Sequence, residues 1–340
     1  MKYFAAMSVK RLGATICLAT GICALYAVQA SAAVEQSEVR ISPAVISQFA
    51  TRAAILGAAT AGQRVVAVGS YGTVLLSDDG GQSFRQARSV PVSSTLTSVS
   101  FVDEKHGWAV GHWGMILATE DGGDTWAVQR TDLKEDRPLF SVHFFDQNEG
   151  VAVGLWSLIL RTGDGGKTWD RISVQDPDTG GESDRNLFKL FAAPSGTLFV
   201  SAERGSVLRS DDRGRTWSRL DTPYKGSLWS GLVMKDGTLL VGGLRGSLYR
   251  SRNGGSSWDQ VRNDAHNSIT DMVETSDRVV AVGLNGVRLE SRDGGMTFVA
   301  SQRDDRLSLT AAVIAPSGDV VTFSKTGIVG TGTSSAVSSK

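Results

Sequence analysis

One short pattern recurs along this chain and leaves few folds open to it. It reads S-D-D-G-G-Q-S-F from Ser77, T-E-D-G-G-D-T-W from Thr119 and T-G-D-G-G-K-T-W from Thr162. It returns as S-D-D-R-G-R-T-W from Ser210, S-R-N-G-G-S-S-W from Ser251 and S-R-D-G-G-M-T-F from Ser291. The closing aromatics, Phe84, Trp126, Trp169, Trp217, Trp258 and Phe298, follow one another at intervals of roughly 40 to 48 residues. A fixed period of that size, with several short strands in each repeat, is the mark of a propeller blade.

The chemistry of the repeat is that of a hairpin turn. An Asp or Asn side chain accepts hydrogen bonds from amides a few residues on, and Gly adopts positive φ without a Cβ clash. Asp-Gly between apolar runs is a strong short-range hairpin signal. We therefore read Asp79, Asp121, Asp164, Asp212, Asn253 and Asp293 as structural turn staples rather than as catalytic or metal-binding groups.

Each repeat supplies short apolar runs at matching places. The second contains L-T-S-V-S-F-V-D, G-W-A-V-G-H-W-G and M-I-L-A-T before its box, and the others follow suit. A seventh unit begins at L-T-A-A-V-I-A-P (309–316) but has no box and no fourth strand before the polar tail. The expected fold is all-β: a seven-bladed propeller of four-stranded antiparallel blades. An unpaired edge inside a closed ring exposes backbone groups. Segment 38–44 is therefore expected to return as an N-terminal strand that closes the last blade, with Pro43 suited to a strand end. The one long interval holds an acidic insertion, 175–186, read as a solvated surface loop and kept as a secondary candidate.

Ahead of the repeats, Lys2, Lys10 and Arg11 precede an apolar run from Leu12 to Val28 and a small-residue site at Ala30-Ser31-Ala32. This reads as a signal peptide, 1–32, followed by the propeller, 33–332, and a flexible tail, 333–340. Export to the periplasm is expected. Both cysteines, Cys17 and Cys23, lie in the leader, so the mature chain has no disulfide. The formal charge is zero for the whole chain and slightly acidic without the leader. That excludes general affinity for nucleic acid and argues against membrane insertion after cleavage.

The turn between the second and third strand of each unit faces away from the boxes. Around the ring these turns carry Tyr71, His112-Trp113, Leu155-Trp156, Glu203-Arg204, Leu244-Arg245, Leu284-Asn285 and Lys325-Thr326. Tyr, Trp and Arg dominate protein interaction hot spots. Tyr71, His112, Trp113, Trp156, Arg204, Arg245 and Lys325 are accordingly the expected partner-binding residues. Arg209 and Arg250, which precede two of the boxes, are added as a basic stripe. His106, His112, His143 and His266 have no metal-ligand spacing, and no nucleophile or phosphate-loop motif occurs. No cofactor, no metal and no catalytic residue is expected.

The units D-E-K-H-G-W-A-V-G-H-W-G-M-I-L-A-T-E-D-G-G-D-T-W and N-E-G-V-A-V-G-L-W-S-L-I-L-R-T-G-D-G-G-K-T-W resemble those of the photosystem II stability/assembly factor family. The resemblance runs from Glu38 to about Gly332. It implies an exported seven-bladed propeller with bacterial-neuraminidase-type repeats, working without catalysis. It further implies an assembly factor or scaffold in the periplasm, or the thylakoid lumen of a phototroph. Such a factor docks membrane-protein partners through a basic patch, here Arg204, Arg245, Arg209 and Arg250, and is expected to be a monomer. An accessory protein of a resistance-nodulation-division (RND) transporter is an alternative. A sialidase-like hydrolase or glycan-binding module is another, since sialidases share the box. Their arginine cluster and inner-strand tyrosine have no counterpart among the inner strands of this sequence.

Overall fold

The computed structural model describes residues 41–331. Seven antiparallel sheets follow one another along the chain, at 55–86, 96–130, 139–172, 187–221, 228–260, 269–302 and 309–331. They are blades one to seven below. The first six have four strands in sequential order and the seventh has three among the described residues. The first strand of each blade lines the axis, and neighbouring inner strands touch around the whole circle, blade seven against blade one included.

Every blade lies between two others, which decides its composition. The second strands, such as Gly107–Gly111, Gly150–Gly154 and Val279–Gly283, are buried along their full length. They read as unbroken small or β-branched runs because both faces are covered; period-2 alternation is confined to the flanking strands. The outer strands are short and exposed, as at Asp259–Gln260.

All seven inner strands carry a bulge at the same place, one residue after their first pairing. A bulged residue is turned out of its ladder. In three blades it is a threonine whose hydroxyl donates to the carbonyl beginning the next inner strand: Thr97 to Leu139, Thr270 to Leu309 and Thr310 to Ile55. In blades three to five the equivalent residues are Phe140, Phe188 and Trp229, and the first two stack with ring centroids 5.9 Å apart.

The ring closes differently from the expectation. Residues 41–44, the described part of the proposed closing strand, form no strand, and 38–40 lie outside the described residues. The Ala44 amide donates to Val90 O at 3.0 Å, which ties this segment to the end of blade one rather than to blade seven. Closure comes from side chains: Ile55, Val65 and Leu75 pack with Ala311, Val321 and Phe323. Phe84 meets Phe323 edge-on at 5.8 Å. Gly81 lies so close to blade seven that a Cβ there would meet Val321 at 2.5 Å.

Candidate functional site

The boxes form one face of the disc, and their carboxylates are fully engaged. In the second, Asp121 Oδ1 accepts from the Thr125 amide at 2.8 Å and from Thr119 Oγ1 at 3.0 Å, and Oδ2 accepts from Thr125 Oγ1 at 2.7 Å. The Gly123 amide closes the loop on Thr119 Oγ1 at 3.0 Å. Asp79, Asp164, Asp212 and Asp293 repeat the arrangement, and Asn253 replaces one acceptor bond by donating to Ser257 Oγ. The donors hold the carboxyls of Asp164 and Asp212 at about 2, below the ordinary 3.8.

The opposite face carries the turns between second and third strands. In blades one to six each is a type I′ hairpin: at blade two, Trp113 has φ 59°, ψ 31°, Gly114 has φ 54°, and the Met115 amide donates to His112 O at 3.2 Å. The first central residue of such a turn is left-handed, so Asn, Asp or Gly normally occupies it. Here it is Tyr71, Trp113, Trp156, Arg204, Arg245 and Asn285 in successive blades, all with φ between 52° and 59°. Five of these six tips are bulky residues in a conformation that costs an L-residue about 1–2 kcal/mol.

The blade-to-blade connections hold the tips in place. Asp136 accepts from the Trp113 amide at 2.7 Å and from His112 Nδ1 at 2.9 Å. Asn186 accepts from the Trp156 amide at 3.1 Å, and Ser308 from the Asn285 amide at 3.1 Å. Tyr71 and Trp156 stand out into solvent, 77% and 47% exposed, whereas Trp113 is half-buried. Arg137, absent from the sequence candidates, lies in the connection after blade two with its guanidinium 5.9 Å from the Trp156 ring.

The insertion 175–186 is a surface loop, largely exposed as expected, but anchored to this face by buried charges. Asp176 and Arg185 are buried together and form an ion pair, and Arg219 of blade four reaches both Asp176 and Asp178. The loop backs the Trp156 turn through the Ser157 amide to Arg185 O, 2.7 Å, and pairs Asp184 with Arg204 at 3.0 Å.

The expected basic patch divides between the two faces. Arg204 and Arg245 are tips, but Arg209 and Arg250 sit at the box ends of Ser206–Ser210 and Leu248–Ser251. Arg209 is paired to Asp211 and donates to Gly254 O of the next box. Arg250 is half-buried. Arg245 and Lys325 are exposed and make no ion pair among the described residues.

The axis encloses a mostly polar channel of about 500 Å³. Its charged lining is Lys189, Asp271, Glu274 and the neutral His143. Lys189 Nζ reaches Asp271 Oδ1 at 2.9 Å, spanning from blade four to blade six, and Asp271 also accepts from the Ala312 amide at 3.1 Å. Burial holds the His143 imidazole down at about 4. Among the described residues, no arginine or tyrosine lines the channel.

Comparison with known proteins agrees with this architecture. The family model described as photosynthesis system II assembly factor YCF48 matches residues 86–249. No curated protein sequence matches the chain. Among solved structures, YCF48 bound to D1 peptide superposes with a TM-score of 0.68 at 22% identity, covering 85% of this chain and 98% of that one. YCF48 from Cyanidioschyzon merolae follows at 0.66 and 17% identity, covering 85% and 98%. The WD40 repeats of RRP9 follow at 0.64 and 12% identity, covering 85% and 92%. Residues 86–249 are thus similar in sequence to the photosystem II assembly factor family, as the repeats suggest, and the fold is a seven-bladed propeller.

Proposed function

We propose that this photosystem II assembly factor-like propeller is an exported, non-enzymatic docking disc that binds a membrane-protein partner through its tip face. The observation that carries the reading is the strain at the tips. Residues held in sparsely populated backbone regions persist where the surroundings over-determine them, and they gather at binding sites. Tyr71, Trp113, Trp156, Arg204 and Arg245 are all of this kind, on one face, with Asn285 marking the unstrained choice. The turn backbones are preformed, so little backbone-ordering cost falls on association.

The structural relative bound to a D1 peptide supports a partner that offers a peptide segment of a membrane protein. A non-catalytic role is supported by box carboxylates committed to turns and by channel charges committed to one another. Leader 1–32 supports export, with the periplasm or a thylakoid lumen as destination.

The test is photocrosslinking of the full chain in native membranes, with the reactive group at Trp113 or Arg245, followed by mass spectrometry. A single membrane protein captured from both positions, and lost from Trp113 when Arg245→Glu is introduced, is expected. Equal capture from an outer-strand position such as Asp170 would refute the assignment of the face.

A further inference from the structure

Six cations without a carboxylate partner lie along one arc of the tip face. Arg52, Lys225, Arg245, Arg262, Arg306 and Lys325 are exposed and form no ion pair among the described residues. Lys105, Lys167, Lys235 and Arg252, also exposed and without an ion pair among the described residues, are spread over the turns of the box face, and Lys134 lies in the connection after blade two. Arg52 leads into blade one, Lys225 and Arg262 flank blade five, and Arg306 leads into blade seven. These connections open on the tip side: Asn263 Nδ2 donates to Gly246 O at 3.0 Å and the Lys325 amide to Ser308 O at 3.3 Å. The exposed carboxylates left unpaired along this arc are Asp264 and Asp304. On the box face several arginines are spent internally, as where Arg161, Arg213 and Arg215 converge on Glu149.

The arc runs into an apolar foot. Val45, Ile46, Phe49 and Tyr71 are 78%, 63%, 57% and 77% exposed. Except for Ile46 they line a shallow groove of about 510 Å³, with Arg52 at its rim. The backbone beneath is fixed: the Ser47 amide donates to Gln86 Oε1 at 2.9 Å and Gln86 Nε2 to Val45 O at 3.0 Å. The apolar side chains are thus held outward. A contiguous exposed apolar patch marks a contact surface, and an apolar patch beside clustered Lys and Arg is the composition that binds anionic bilayer surfaces.

We propose that the tip face rests on an anionic lipid surface, with Val45, Ile46 and Phe49 entering the headgroup region and the cationic arc lying over lipid phosphates. The near-neutral total charge argues against membrane attraction only when averaged over both faces; the local asymmetry sets the interaction. This deepens the docking function by turning the same face toward the bilayer that holds a membrane-protein partner.

Hydrogen exchange of the full chain tests it, with vesicles of phosphatidylcholine alone or mixed with phosphatidylglycerol. The expected result is several-fold slower exchange at 43–53 and 69–73 on the anionic vesicles only. Phe49→Glu should remove it, as should the pair Arg262→Glu and Arg306→Glu, while exchange in the boxes stays unchanged and reports an intact fold. Vesicle binding without slowing at 43–53 would mean attachment by the leader alone and would overturn the proposal. So would the same slowing without vesicles at raised protein concentration, which would mean a second copy on the foot. If crosslinking still captures a protein partner while these vesicles leave exchange unchanged, the lipid contact falls and the docking function stands.

Discussion

Replacing Arg245 by Asn should make the protein more stable and a poorer binder. Arg245 sits at φ 57° at the first central position of its turn, is exposed, and makes no ion pair among the described residues, so the substitution removes little but strain. The left-handed region costs an ordinary L-residue about 1–2 kcal/mol, and Asn visits it routinely. Recovering part of that cost predicts a gain of about 0.5–1 kcal/mol. For a domain of this size that corresponds to roughly 1–3 °C in melting temperature. Blade six supplies the reciprocal experiment. Asn285 occupies the same place with φ 55°, and Asn285→Arg should lose at least as much, because its side-chain bond to Asn267 at 2.9 Å disappears too. Tyr71→Asn, three blades away around the ring and 77% exposed, should add to Arg245→Asn. Urea denaturation followed by circular dichroism reads these differences, with an unchanged slope showing that folded-state energy was altered. A neutral or destabilising Arg245→Asn alongside a harmless Asn285→Arg would refute the argument that the tips are strained for binding.

Two further outcomes follow from the box and the channel. Asp121→Ala leaves the Thr125 amide and two threonine hydroxyls without their acceptor and should cost about 1–3 kcal/mol in the same denaturation assay; Asp121→Asn should cost less, since Asn253 performs the job in blade five. His143 titrates at about 4 in the fold against 6.5 as a free side chain, so between those values only the unfolded chain takes up the proton. Its contribution is complete above pH 6.5 and lost as pH falls toward 4, amounting to about 1–2 kcal/mol once discounted for its incomplete burial, and His143→Phe should flatten stability over that window.

The repeat made the blade count legible because a type of turn is a local property: Asp121-Gly122-Gly123 needs only its own few residues to fold. The tips were equally plain, and their left-handed backbone could have been inferred by aligning Trp113-Gly114 and Arg245-Gly246 with Asn285-Gly286. What escaped depends on distance through space. Segment 38–44 carries strand-like alternation, but nothing local says which edge it meets, and Ala44 bonds to Val90 instead. Arg204 and Arg209 are five positions apart in sequence yet belong to opposite faces, because a strand lies between them. Insertion 175–186 reads as polar, and only the fold brings Arg185 and Arg219 onto its carboxylates. The pairing of Lys189 with Asp271, across the axis, has no signature in either flanking sequence.

Blade five stands apart in the way the inner strands are tied. Hydroxyl and carboxylate bonds join blade two to three, three to four, six to seven and seven to one, while the Lys189–Asp271 pair passes over blade five from one side to the other. Among the described residues, Leu228–Val233 neither gives nor receives such a bond with an adjacent inner strand. That blade is instead held to its neighbours at the box side, where the Lys235 amide donates to Glu274 of blade six at 2.7 Å and Arg209 of blade four donates to Gly254 O, and it bears Arg245 on the opposite face. A partner pulling on this guanidinium would load a sector pinned at the box rim and untied along its inner strand, so any yielding would pivot about that rim.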